Sequence, residues 1–246
     1  MMDPRVRAID ERMKKVKRII PVVSGKGGVG KSLISTSLAL ILKDMGYEVG
    51  LLDLDFHGAS DHIILNAETS KFPEEDKGVV PPKVHDIKFM SIVFYTEDRP
   101  TPLRGREISD ALIELMSITR WEDLDFLIID MPPGMGDQLM DILRFLKRGE
   151  FIAVGTPSPL AVSVVRKLLN LLVEQRMKVL GIVENMVKGE GILEYLAKEI
   201  HIEYLGSIKF DDEVDEVIGE PGKLMCTKFA DDVKKIAKRV SWSRDY

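Results

Sequence analysis

The stretch "SGKGGVGKS", residues 24–32, sits between the apolar run "RIIPVVS" (18–24) and the helically periodic segment "KSLISTSLALILKDMG" (31–46). A buried strand must therefore end at a glycine-rich loop that turns directly into a helix, and few folds supply that sequence of events. Gly25, Gly30, Lys31 and Ser32 satisfy the G-x-x-x-x-G-K-[ST] spacing of a phosphate-binding loop. Glycines at 25, 27, 28 and 30 let successive backbone N–H groups face one anion, and the helix that follows adds its positive N-terminal end. The run Gly25, Lys26, Gly27, Gly28, Val29, Gly30, Lys31, Ser32 and Leu33 is accordingly the expected nucleotide-binding segment. Within it Lys31 is placed for the β- and γ-phosphates, and the Ser32 hydroxyl for Mg²⁺.

Lys26 is surplus to that scheme. At the mouth of the loop it is poorly placed to turn back onto phosphates that Lys31 already holds, but it could cross to a nucleotide on a facing subunit. A second cation delivered in that way stabilises transition-state charge as an arginine finger does, so the expectation is a nucleotide-dependent homodimer.

Short apolar runs alternate with helical periodicity along the chain, which predicts an α/β fold: a mainly parallel sheet with helices on both faces, in one domain spanning 1–246. Strands are expected at 18–24, 47–55, 124–134, 150–159, 177–186 and 202–210, and helices at 31–46, 106–119, 159–176, 191–200 and 227–240. Ile34, Leu38 and Ile41 mark the buried face of the first helix, and Gly46 its stop. Leu168, Leu171 and Leu172 read as core contacts. The segment 66–86, polar and rich in turn formers, reads as an insertion or mobile loop. In open parallel sheets ligands bind at the carboxyl ends of the strands, which gathers Lys31, Asp53, Asp55, Asp130 and Asn185 around one crevice. Asp130, closing the apolar run "LDFLIID", fits a carboxylate that holds Mg²⁺ through water.

A net charge of −5 argues against a dedicated nucleic-acid binder. The first 18 residues carry seven Lys or Arg against three acids and read as a solvated basic helix over about 1–17. No apolar run approaches the ~18 residues of a membrane span, and no secretory signal is legible, so the expected location is the cytosol. His57, His62, His85 and His201 share no metal-ligand spacing, and His57 reads either as a loop residue or as part of a switch after Asp55.

The loop K-G-G-x-G-K-S resembles the deviant phosphate loop of the ATPases that include MinD, ParA and the nitrogenase iron protein. Three further stretches resemble the Mrp/ApbC branch of that group: "DMPPGMGD" (130–137), "DLDFHGAS" (53–60) and "GIVENM" (181–186), with "PLRGREISDAL" (102–112) similar to a W-R-G-P segment. The resemblance runs from about residue 18 to 240 and implies ATP hydrolysis by a dimer in which Lys26 acts across the interface. It implies that Asp55 orients the attacking water and that Asp53 supports the metal or the loop. It also implies that Asn185 contacts adenine and that Asp211 keeps an acidic position in the base pocket, although Lys209 stands where proline is common.

Mrp-type proteins carry iron–sulfur clusters on a C-x-x-C pair shortly after "ENM". This chain reads "ENMVKGEGILEYL", and Cys226 is its single cysteine. Clusters need soft thiolates, so no iron–sulfur cluster is expected within one chain. Three functions remain open: an Mrp-type ATPase that switches a surface at 66–86 or 187–191 for an unknown client protein, a MinD- or ParA-like positioning ATPase, and a carrier that uses Cys226 with outside ligands. The positioning reading would enlist the C-terminal helix, where Val233, Ile236, Ala237 and Val240 share a face ringed by Lys234, Lys235, Lys238 and Arg239. Packing onto the domain also accounts for that face and is the preferred reading.

Overall fold

The structure, a computed structural model, describes residues 4–56, 58–96 and 105–242. Its elements in chain order are α1 (Pro4–Met13), β1 (Val16–Ser24), α2 (Lys31–Asp44), β2 (Val49–Asp53), α3 (Asp61–Leu65), β3 (Lys83–Val84), β4 (Ile87–Ser91), α4 (Val93–Thr96) and α5 (Arg106–Ile118). They continue with β5 (Leu124–Asp130), α6 (Asp137–Leu143), β6 (Glu150–Gly155), α7 (Pro159–Glu174), β7 (Lys178–Val187), α8 (Leu193–Glu199), β8 (Tyr204–Lys209), α9 (Glu213–Glu216), α10 (Pro221–Leu224) and α11 (Lys228–Trp242).

One eight-stranded sheet runs in the order β3-β4-β2-β5-β1-β6-β7-β8, and only the β3–β4 pair is antiparallel. From β1 the chain moves toward one edge to reach β2, whereas from β5 through β6 and β7 to β8 it moves toward the other. Right-handed crossovers then place α2 on one face and α5 to α8 on the opposite face. Helix packing agrees: α11 returns to lie beside α2, and α1 packs on α5. The direction of travel reverses beside β1, so the crevice above the carboxyl ends of β1, β2 and β5 is the natural ligand site of this topology.

The central strands are buried on both faces, which is why they read as unbroken apolar runs rather than alternating ones: Leu124–Asp130 exposes almost nothing after its second residue. Ile34, Leu38 and Ile41 of α2, and Leu168 and Leu172 of α7, enter this core as their periodicity predicts. Leu171 is partly buried against it.

Two expectations need correcting. The N-terminal helix is shorter than 1–17, because β1 already begins at Val16, and it is not a freely solvated rod. Ile9 and Met13 are buried against the domain, and the Arg12 guanidinium donates to the carbonyls of Ser117 and Lys77. Segment 66–86 is tied down rather than loose. It contains β3, Val79 N–H donates to Ile118 O at 2.8 Å, and Arg120 N–H donates to Val79 O at 2.8 Å. It also leads into β4, which the sequence reading missed altogether. For α11 the packing reading holds, since Val233, Ile236, Ala237 and Val240 are buried. No described helix is long and apolar enough to cross a membrane.

Burial of Ile9 gives a direct test of the docked N-terminal helix. Ile9→Ala should lower the urea unfolding free energy by about 2–5 kcal/mol, the usual range for truncating a buried aliphatic side chain. An unchanged unfolding midpoint would restore the solvated-helix reading.

Candidate functional site

β1 delivers the chain to Ser24, and α2 begins at Lys31, leaving six residues to form the loop. Gly28 (φ 74°) and Gly30 (φ 81°) take left-handed backbone conformations that favour glycine. Space is also short, because a Cβ on Gly30 would strike the Asn185 side-chain amide and one on Gly25 would strike the Val164 side chain. The Asn185 amide nitrogen donates to Val29 O at 2.8 Å, so the end of β7 pins the loop from the side.

Beneath the loop, at the ends of β2 and β5, lies a buried polar cluster. The Lys31 ammonium donates to Asp130 Oδ2 at 2.7 Å, and the Ser32 hydroxyl donates to the same oxygen at 2.7 Å. Ser35 Oγ donates to Asp130 Oδ1 at 2.8 Å. Asp53 accepts from the Asp55 N–H at 2.9 Å and from Ser91 Oγ at 3.2 Å. The third carboxylate is Asp61, at the start of α3, which accepts from Thr36 Oγ1 at 2.9 Å. Its other oxygen, Oδ2, is buried with no partner among the described residues. Oxygens of Asp53, Asp61 and Asp130 lie within 4.8 Å of one another.

Like charges this close, out of water, resist ionisation. Burial, reinforced by the Asp130 charge, pushes Asp53 up to about 7, and the same two causes hold Asp61 well above the usual carboxylate range. Burial works against the Lys31 ammonium, but attraction and hydrogen bonding to Asp130 outweigh it and leave Lys31 above its ordinary value.

Above the cluster opens a crevice of about 460 Å³, lined by the loop from Gly27 to Leu33 and by Asp55, Ser60, Ile63, Pro133 and Ile218. Asp55 sits at its rim, where one carboxylate oxygen accepts from the Gly58 N–H at 3.1 Å. Lys26 is half-buried at the loop's mouth, and its ammonium has no hydrogen bond or ion pair among the described residues. Asp53 and Asp130 lie below the crevice rather than on its wall. Neither Asn185 nor Asp211 lines it. Asp211 instead accepts from the backbone N–H groups of Glu213 and Phe229 and so caps the start of α11. His57 and residues 102–104 lie outside the described residues.

Sequence reasoning missed Asp61, Thr36 and Ser35. Asp61 directly follows "DLDFHGAS", so a third acid downstream of Asp53 and Asp55 was visible, but its burial was not.

A parallel sheet with this loop at its reversal point, a lysine and a serine on a strand-end aspartate, and an open crevice above defines a P-loop NTPase. The chain belongs to the ParA family, whose model, described as NUBPL iron-transfer P-loop NTPase, matches residues 15–241. It is 36% identical over 251 residues to an iron-sulfur cluster carrier protein of Methanocaldococcus jannaschii, covering 94% of this chain and 87% of that one. A protein of the same name from Saccharolobus solfataricus is 35% identical over 243 residues, covering 89% and 82%. Among solved structures, a nucleotide-binding protein in complex with ADP from Archaeoglobus fulgidus matches with TM-score 0.75 and 30% identity over 98% of each chain. The septum site-determining protein MinD complexed with Mg-ADP, from Pyrococcus horikoshii, matches with TM-score 0.70 and 20% identity over 92% and 96%, which is a likeness of fold.

The carboxylate cluster makes stability depend on pH with a defined sign. Asp53 titrates near 7 in the folded chain and near 3.8 when unperturbed, so between those values the folded state holds a proton that the unfolded chain has lost. Stability from this group is complete below the lower value and is lost as pH rises through the upper one. Without metal or nucleotide, Asp53→Asn should therefore gain on the order of 2–4 kcal/mol over the wild type at about pH 8 and little near pH 4, read by thermal melts in EDTA. A gain independent of pH would contradict the assignment.

Proposed function

We propose that this chain is an ATP-driven switch that works as a homodimer and whose cycle presents a surface to a client protein of iron–sulfur cluster assembly. The carrying observation is the Lys31 ammonium held on Asp130, directly under an open glycine-rich crevice. A triphosphate entering the crevice meets the backbone N–H groups of Gly25, Gly27, Gly28, Val29 and Gly30 and the first turn of α2 at Lys31, Ser32 and Leu33. It offers Lys31 more anionic oxygens than Asp130 does, and the ammonium moves to the β- and γ-phosphates.

The residues suit Mg²⁺, a hard cation that takes oxygen ligands, since carboxylates cluster here and one buried oxygen lacks a partner. Ser32 would hold it directly, with Asp53 and Asp130 through water, and when bound it neutralises phosphate charge. Asp55, at the rim, orients the water that attacks the γ-phosphate. Lys26 reaches the nucleotide of the partner subunit and steadies the charge that develops there. Asn185 and the segment 206–214 with Asp211 do not line the crevice, so they would meet the adenine only where the base extends past its wall.

The iron–sulfur part of the proposal rests on the names of the relatives and on the family description. A cluster is cargo here, and the donor set limits how it could be held. Cys226 is exposed and donates weakly to Gly222 O at 3.4 Å, and a dimer brings two such thiols where four are usual. The chain therefore acts on cluster assembly by contact with a client that supplies the thiolates. A membrane-positioning role lacks support, because the apolar face of α11 is already buried.

Lys31→Ala should weaken ATP binding by about 100-fold or more, in keeping with the ~2–5 kcal/mol lost when one partner of a buried charge pair is truncated. Calorimetry showing wild-type affinity would remove the site assignment. Lys26→Ala should keep ATP affinity within about 3-fold while losing ATP-dependent dimerisation in sedimentation velocity, as a cation acting only across the interface requires. Anaerobic reconstitution with iron and sulfide should leave wild type and Cys226→Ala equally free of bound cluster. Iron held by the wild type and lost in the variant would make the chain itself a carrier.

A further inference from the structure

Nucleotide binding accounts for Lys31, Ser32 and Asp130 but gives no reason for Asp61. Its carboxylate is fully buried, one oxygen is fixed by Thr36 at 2.9 Å, and the other has no partner among the described residues. That oxygen belongs to a group of three carboxylates, from the ends of β2 and β5 and the start of α3, whose ligand atoms lie within 4.8 Å of one another.

Ligand oxygens bonded to one cation at about 2.1–2.4 Å stand no farther apart than roughly 4.2–4.8 Å, and the three carboxylate oxygens lie within 4.8 Å of one another, close enough to share an ion. Side-chain hydrogen bonds from Thr36, Ser35 and Ser91 hold the three carboxylates in orientation, as supporting groups do around metal ligands. Ser32 lies on Asp130 and lines the open crevice, which gives an ion an entry path.

We propose that Asp53, Asp61 and Asp130 form a divalent-cation site that fills without nucleotide, with Asp61 as a direct ligand and the Lys31 ammonium as its resident competitor for Asp130. This goes beyond the nucleotide reading, in which metal arrives with the phosphates and meets the aspartates only through water. In the proposed site the cation is taken up first. When phosphates draw Lys31 off Asp130, the site loses its competitor and tightens, so nucleotide and metal each strengthen the other's binding.

The test uses the full chain stripped of nucleotide, with Mn²⁺ alone as the probe, read by loss of the free-ion electron paramagnetic resonance signal. The wild type should bind one Mn²⁺ per chain saturably. Asp61→Asn, which keeps the acceptor for Thr36, should bind it about 10-fold or more weakly, while ADP binding in EDTA is retained. Absence of saturable binding by the nucleotide-free wild type overturns the proposal, and so does wild-type Mn²⁺ affinity in Asp61→Asn. Should that variant not fold, Lys31→Met decides the matter. Removing the competitor should tighten Mn²⁺ binding, and equal or weaker binding overturns the site. A wild type that takes up Mn²⁺ yet binds no ADP would sink the nucleotide reading and leave the cation site standing.

Discussion

The contact on which the site depends is the buried ion pair between Lys31 and Asp130. Burying two opposite charges is not an economical way to stabilise a fold, because desolvation consumes most of the attraction. The pair makes sense as a parking place. Asp130 gives the ammonium an anion at 2.7 Å, and Ser32 and Ser35 also hold that carboxylate, so under the proposed function it would stay oriented when phosphates draw the ammonium away. The crevice is thereby organised in advance, so less ordering remains to be done when a ligand arrives.

That organisation extends outward through backbone rather than through further charge. β1 and β5 run parallel in register, with Val22 opposite Asp130, which fixes the aspartate relative to the loop that leaves β1 two residues later. β2 adds Asp53 opposite Asp130 on the other side of β5. From β7, Asn185 grips Val29 O and occupies the space that a side chain at position 30 would need. Four strands therefore set the site, and crowding requires glycine at 25 and 30 while a left-handed dihedral favours it at 28 and 30.

Most of this frame was legible in the sequence because parallel central strands are apolar throughout and end abruptly at polar residues. Asp130 and Asp53 were placed correctly at strand ends for that reason. β3 escaped notice because two residues of pairing at the sheet edge leave no periodic trace, and β4 because it is only five residues long and follows directly on a polar segment, although it pairs with β2 inside the sheet. The N-terminal helix misled for the opposite reason: its charges were plain, but the two residues it buries, Ile9 and Met13, are too few to stand out against them. Asp61 was invisible as a site residue. An acid after a turn reads as a solvated cap, and only the tertiary fold shows that α3 drives it under the phosphate loop.

The single thiol bears on how this chain could serve a family named for iron transfer. A protein with its own cysteine pair can close a cluster inside its dimer, so nucleotide state and cargo are joined within one assembly. Here Lys31, Ser32, Asp53, Asp61 and Asp130 gather under the phosphate loop, while the single thiol, Cys226, lies on the outer surface. Hard and soft donor chemistry have thus been separated, with oxygen ligands buried under the phosphate loop and sulfur left exposed between α10 and α11. Under the proposed function, coupling between nucleotide state and iron would pass through the shape of the protein surface rather than through a shared ligand shell. A switch that holds no cluster can still decide when a partner that holds one is engaged.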